Sequence, residues 1–192
     1  MSLYLPVLYG TSREGRKSIY VAEYALERLK RRPGVETRLF DPRDLPLGNL
    51  VLRQWERHPP VPAIEAFSAE MARADGFLVV TPEYNYGIPG ALKNMIDHLY
   101  QEWNRKPFAF IGAGGLSGGL RAIDQLRQVV AGVAGISVPA HLAVHHVAKA
   151  FGPQGPLSAA DEFPAQFDRL FSELEWYARA LKTGRDAGEP AH

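Results

Sequence analysis

Three segments of the chain hold residues whose types and spacing can do chemistry. The first, Gly10-Thr11-Ser12-Arg13-Glu14-Gly15-Arg16-Lys17-Ser18, sets hydroxyls and cations beside glycine just before a stretch of helical period. Such a combination binds anions. A helix N-terminus offers unpaired N–H groups and a partial positive charge, glycine lets the backbone approach, and Thr, Ser and Arg add directed donors. A polar turn with a helix cap would use the same residue types, and on this segment alone that alternative stays open. The second segment, Thr81-Pro82-Glu83-Tyr84-Asn85-Tyr86-Gly87-Ile88-Pro89, carries two tyrosines on a tight turn ahead of a helix. Flat rings, Asn85 and main-chain N–H groups suit a planar heteroaromatic ligand; tyrosines packed on neighbouring structure are the plainer account. The third, Gly112-Ala113-Gly114-Gly115-Leu116-Ser117-Gly118-Gly119, is nearly bare backbone, open to close approach by a ligand or to simple flexibility.

Two phosphate-binding patterns are missed by small margins. Gly10 and Gly15 have the spacing of GxxxxGK[ST], but Arg16 stands at the lysine position and Lys17 follows one residue late. The apolar run Phe77-Leu78-Val79-Val80 ends in Thr81-Pro82 rather than in a carboxylate for Mg²⁺, which weakens nucleotide hydrolysis as a reading. The nearest approach to GxGxxG runs from Gly112 to Ser117, ends in serine and follows the fourth strand, which disfavours a Rossmann dinucleotide site. On a regular fifth strand His141 and His145 share a face but stand roughly 13 Å apart, too far for one metal ion, and His146 points to the other face. No metal site is expected. Asp97-His98 reads as a solvated or subunit-facing pair, and Trp55 and Trp103 as candidates to face a second subunit.

These segments need elements to hold them. Short apolar runs at Leu3–Tyr9, Val35–Phe40, Gly76–Thr81, Phe108–Gly112 and Ser137–His145 read as buried parallel strands. Between them, helical periods cover Lys17–Arg31, Ile64–Arg73, Pro89–Trp103, Gly118–Val133 and Glu162–Lys182, with Pro89 suited to a first turn and Asp161 to a cap. The alternation predicts a doubly wound α/β sheet of five parallel strands with helices on both faces, whose ligands sit beyond the C-terminal strand ends. All three candidate segments follow strands. Pro42 to Pro62, with five prolines, predicts an irregular surface excursion. Residues 1–183 are expected to form one domain, with a flexible tail over 184–192.

The 192 residues carry 22 Lys+Arg against 21 Asp+Glu, a formal charge of +1, and no long basic run to follow a nucleic acid backbone. A chain without cysteine has no disulfides, thiolate nucleophile or CxxC redox pair, so any redox chemistry needs a borrowed cofactor. The start lacks a basic region and is interrupted by Pro6, which predicts no secretion signal. Val129 to Ala140 is too short for a bilayer span of roughly 20 apolar residues, so a cytoplasmic location is expected.

Gly10 to Arg16, then Asp41-Pro42-Arg43-Asp44-Leu45-Pro46, then Thr81 to Asp97 together resemble the NAD(P)H-dependent FMN reductase family, which includes quinone, azo-dye and chromate reductases. The resemblance covers about two thirds of the chain. It implies a flavodoxin-like sheet of order 2-1-3-4-5, non-covalent FMN, NADPH or NADH as hydride donor, and a homodimer or homotetramer. Carried over by position, Thr11, Arg13, Arg16, Lys17 and Ser18 would hold the FMN phosphate, with Thr11 keeping the hydroxyl of the family's commoner serine. Pro82, Glu83, Tyr84, Asn85 and Tyr86 would line the isoalloxazine ring, and Gly114 and Gly115 would reach its other side. The flavin would do the chemistry, with no catalytic side chain, in a ping-pong cycle passing hydride from NAD(P)H to quinones, flavins, azo compounds or metal oxyanions. The alternatives are a flavodoxin-type electron-transfer protein and an FMN-binding sensor without NAD(P)H turnover. The preferred nicotinamide, the cellular acceptor, the size of the oligomer and the role of the Pro42 to Pro62 excursion are not legible in the sequence.

Overall fold

A computed structural model describes residues 2–50, 52–158 and 163–188. The first expected strand forms as two pieces, β1 (Leu3–Tyr4) and β2 (Val7–Tyr9), and the second likewise as β3 (Val35–Glu36) and β4 (Leu39–Phe40). Pro6 is the reason, since it brings no N–H to the ladder. The two runs still stay together: Leu5 N–H donates to Glu36 O at 2.9 Å, Val7 N–H to Arg38 O at 2.8 Å, and the Thr37 hydroxyl to Leu5 O at 2.7 Å.

With β5 (Phe77–Thr81), β6 (Pro107–Ala113) and β7 (Ile136–Val144), the five-stranded sheet has the order β4-β2-β5-β6-β7, every neighbouring pair parallel. Counted as five expected strands, that is 2-1-3-4-5. Side chains alternate between the two layers of the core. Val7, Tyr9, Leu78, Val80, Ala109 and Ile111 pack with α1 (Ile19–Lys30) and α6 (Phe163–Asp186), while Leu8, Phe77, Val79, Phe108 and Phe110 pack with α2 (Pro62–Arg73), α3 (Gly90–Asp97) and α4 (Leu120–Gly132). Continuous apolar strands are what a sheet covered on both faces requires.

Several expected boundaries move. The helix from Pro89 to Trp103 stops at Asp97, and a 3₁₀ turn at Gln101–Trp103 follows. Trp103 is fully buried against Phe67, Phe77 and Phe108, so it belongs to the core and faces no second subunit. His98 is also fully buried: Nδ1 lies 2.8 Å from Asn94 O and Nε2 3.0 Å from Leu47 O, which pins the proline-rich excursion to α3. The expected solvated Asp97-His98 pair is thereby corrected, with Asp97 instead joined to Lys93 at 2.6 Å. The last helix extends through Gly184 to Asp186, past the expected start of the tail, because Arg185 donates to Arg105 O at 2.8 Å and Lys182 pairs with buried Asp75 at 2.8 Å. The Asp161 cap and the tail from residue 189 onward lie outside the described residues. A short α5 (Val147–Ala150) and a hairpin of β8 (Phe151–Gly152) and β9 (Gly155–Pro156) are absent from the expected elements; the hairpin packs beside α1, and α5 packs on β8.

Candidate functional site

The C-terminal ends of β2, β5 and β6 open on one cleft of about 480 Å³, walled by Arg13 to Ser18, Pro82 to Tyr84, Ala113 to Gly115 and His146 to Lys149. The three candidate segments therefore meet where a doubly wound sheet binds ligands. Gly10 cannot bear a side chain here, because a Cβ would stand 2.7 Å from Thr81 Oγ1 where the first two loops cross.

The loop after β2 divides its polar residues between two duties. Thr11 is buried, with its hydroxyl 2.8 Å from Tyr84 OH and accepting from Arg13 N–H at 3.2 Å, so it joins the anion-binding loop to the tyrosine loop. Ser18 is buried with Oγ 2.7 Å from Tyr9 OH, and burial pushes the Tyr9 phenol up to about 12, which keeps it neutral beside the cleft. Arg16 forms a two-pronged ion pair with Asp41, donates to Thr11 O at 2.7 Å and lies over the Tyr9 ring. Its charge is already neutralised. Arg13 and Lys17 are exposed and form no ion pair among the described residues. The backbone N–H groups of Glu14, Gly15 and Lys17 likewise have no acceptor there. Arg13 lies over the Tyr84 ring and Lys17 over the Tyr20 ring, each 5.8 Å from the centroid. Two cations without a carboxylate partner and a row of free N–H groups in a cleft suit a phosphate.

The second loop is built by its backbone. Tyr84 and Gly87 exchange N–H···O bonds of 3.0 Å each, and Asn85 (φ 48°) and Tyr86 (φ 70°) turn the corner in the left-handed region. That turn requires positive φ at both central residues, which Asn tolerates and Tyr resists. Tyr86 is 72% exposed, with the Arg121 guanidinium 4.0 Å above its ring. Pro82, Glu83 and Tyr84 face the cleft, whereas Asn85 and Tyr86 stand outside its walls.

Glu83 lines the cleft without offering its charge to it. Its carboxylate accepts from Ser117 Oγ at 2.8 Å, from Arg121 N–H at 3.1 Å and from the Arg121 guanidinium at 3.2 Å. Burial pushes this carboxyl up, but the bonds from Ser117 and Arg121 outweigh it and hold it below the usual carboxylate range. One residue thus stitches the second loop to the third. In the third loop Gly114 N–H donates to Val144 O at 3.0 Å, while Gly115 O and Gly114 O accept from His146 and Val147 N–H at 2.9 Å. His146 and Lys149, which line the cleft, carry no signal in sequence beyond being polar residues near a strand end. His145 lies past β7 and bonds Leu116 O at 2.8 Å.

Residues 4–149 match the family described as NADPH-dependent FMN reductase, and the chain belongs to that family. It is 37% identical over 131 residues to an NAD(P)H-dependent FMN reductase of Schizosaccharomyces pombe, covering 64% of this chain and 63% of that protein. It is 38% identical over 126 residues to an NAD(P)H:quinone oxidoreductase of Solanum tuberosum, covering 64% of each. The chain thus matches less than two thirds of the length of these relatives. Among solved structures, the flavoenzyme NAD(P)H:(acceptor) oxidoreductase FerB of Paracoccus denitrificans superposes with a TM-score of 0.71 at 23% identity, over 92% of this chain and 98% of that one. A flavodoxin of Pseudomonas aeruginosa superposes with a TM-score of 0.53 at 19% identity, over 94% and 99%. The fold is flavodoxin-like, as the family resemblance implies.

Proposed function

We propose that this chain is an FMN-dependent oxidoreductase that takes hydride from NADPH or NADH and delivers reducing equivalents to small acceptors such as quinones, free flavins, azo compounds or metal oxyanions. The observation that carries the reading is the cleft at the C-terminal strand ends, where unpaired Arg13 and Lys17 stand beside free N–H groups of the loop before α1. Those donors fit a phosphate monoester. The wall of Pro82, Tyr84, Gly114 and Gly115 fits the flat ring beyond it, since tyrosine gives apolar area and glycine lets the backbone come close. Thr11 acts from behind the wall through Tyr84, and Ser18 lines the cleft with its hydroxyl against Tyr9. Glu83 fixes the spacing of the ring walls, and Asn85 and Tyr86 form the outer rim.

Bound FMN would supply the two-electron chemistry, and the residues around it bind, orient and screen. Donor and acceptor taking turns at one open face is a ping-pong scheme, which gives parallel lines in double-reciprocal kinetics. A cytoplasmic homodimer or homotetramer is part of this reading; among the described residues no helix is long and apolar enough to cross a membrane.

The deciding experiment is anaerobic addition of NADPH or NADH to the flavin-loaded protein while following the visible flavin band. Rapid bleaching by one nicotinamide is the expected result and names the preferred donor. Flavin binding without bleaching by either would turn the reading to an electron-transfer flavodoxin or a sensor, and no flavin binding would return the cleft to other phosphate ligands.

A further inference from the structure

Three successive carbonyls of the anion-binding loop are held by two arginines. Arg16 Nη1 donates to Thr11 O at 2.7 Å; Arg43 donates from Nε to Ser12 O at 2.9 Å and from Nη2 to Arg13 O at 2.7 Å. Asp41 ties both arginines down, as the ion-pair partner of Arg16 and as the acceptor for Arg43 N–H at 2.9 Å. In a planar trans peptide the carbonyl of one residue and the N–H of the next point in opposite directions. Holding the carbonyls of Thr11, Ser12 and Arg13 on the outer side therefore turns the N–H groups of Ser12, Arg13 and Glu14 the other way. Arg13 N–H meets the Thr11 hydroxyl at 3.2 Å, and Glu14 N–H is left without a protein acceptor, on a residue that lines the cleft.

We propose that Arg43 is a positioning residue: from the proline-rich excursion it braces the loop after β2, so that the Glu14 N–H is aimed at a phosphate before any ligand arrives. It lines no part of the cleft. The brace gives the excursion a role at the site and explains why Asp41 sits at its first turn, where pairing of β4 with β2 carries it beside Arg16. Preorganised dipoles of this kind bind without the cost of ordering a loop.

The proposal rests on the FMN reading only for its choice of ligand, and the test separates the two. The full-length apoprotein and its Arg43→Ala and Arg43→Lys variants are titrated with FMN and with riboflavin, which shares the ring system and lacks the phosphate. Arg43→Ala is expected to weaken FMN about tenfold, because the freed loop must be ordered again when the phosphate binds, and to leave riboflavin unchanged. Arg43→Lys should recover only part, because an ammonium keeps the charge and loses the fork. Equal weakening of both flavins, unchanged FMN affinity, or full recovery by lysine would each overturn the brace while leaving the FMN reading intact. If the wild type binds no flavin, the probe is inorganic phosphate, followed by backbone amide NMR of Glu14. A phosphate-induced shift abolished by Arg43→Ala upholds the brace and ends the flavin reading. A shift that persists, or the absence of any shift, overturns both.

Discussion

Arg13 and Arg16 stand three positions apart in one loop and carry the same charge, yet their partners assign them opposite duties. Arg13 faces the cleft and has no ion-pair partner among the described residues, so Arg13→Ala should weaken FMN about tenfold in a flavin titration and leave the urea midpoint nearly unchanged. Arg16→Ala removes the partner of largely buried Asp41, and an unpaired carboxylate there should cost about 1–3 kcal/mol in urea denaturation. The residue types alone mark the segment as anion-binding. They do not show which cation is already spoken for, because Asp41 lies 25 positions away and comes beside Arg16 only through pairing of the first two strands. Glu83 escapes the sequence in the same way: its neighbours in Pro82-Glu83-Tyr84 suggest a ligand contact, and Ser117 on another loop and Arg121 in the first turn of α4 claim its charge.

At the scale of elements, strand identity and helical faces follow from apolar periodicity, and the sheet order follows from the family resemblance. Ends are set by contacts that periodicity does not encode. Pro6 divides the first strand, and the bonds of buried His98 to Asn94 and Leu47 mark where α3 ends, although its apolar pattern runs on to Trp103. The junction of β6 with α4 shows how close two elements approach. A Cβ on Gly112 would lie 2.4 Å from Gly118 O, backbone against backbone, whereas Gly15, at φ 64°, has open space around it. Gly112→Ala should therefore lower stability by about 3 kcal/mol and displace the third loop, seen as lost flavin affinity. Gly15→Ala should cost about 1–2 kcal/mol, the strain of a left-handed non-glycine residue alone. Urea denaturation of the two variants checks the ordering.

Two predictions belong to the whole molecule. Lys106 is buried below the sheet, where Nζ donates to Met71 O at 2.7 Å and Ala72 O at 2.6 Å; burial, aided by Arg185, lowers its pKa to about 8. In the unfolded chain the ordinary value is about 10.4. Between these values the unfolded chain binds the extra proton, so stability should rise as pH goes from about 8 to about 10, and Lys106→Met should remove that rise in pH-dependent urea midpoints. The second concerns assembly. Leu50, Leu52, Trp55 and Tyr100 are exposed, with Arg53 stacked over the rings of Trp55 and Tyr100 at 5.3 and 5.9 Å. On the proposed reading of a dimer or tetramer, this apolar surface is where a second copy would sit. Sedimentation should give a dimer or tetramer, and Trp55→Glu should shift it to a smaller species; a monomeric wild type would remove the second subunit from the reading.

The Glu83 bridge also bears on how fast a ligand comes and goes. Because its carboxylate already joins the Pro82 wall to Ser117, in the same loop as the Gly114 and Gly115 wall, those two sides do not have to swing together around an arriving molecule. Encounter is then governed by diffusion and by attraction to Arg13 and Lys17, so that arrival slows as salt screens those charges. Differences in affinity between similar ligands should accordingly lie mostly in residence time.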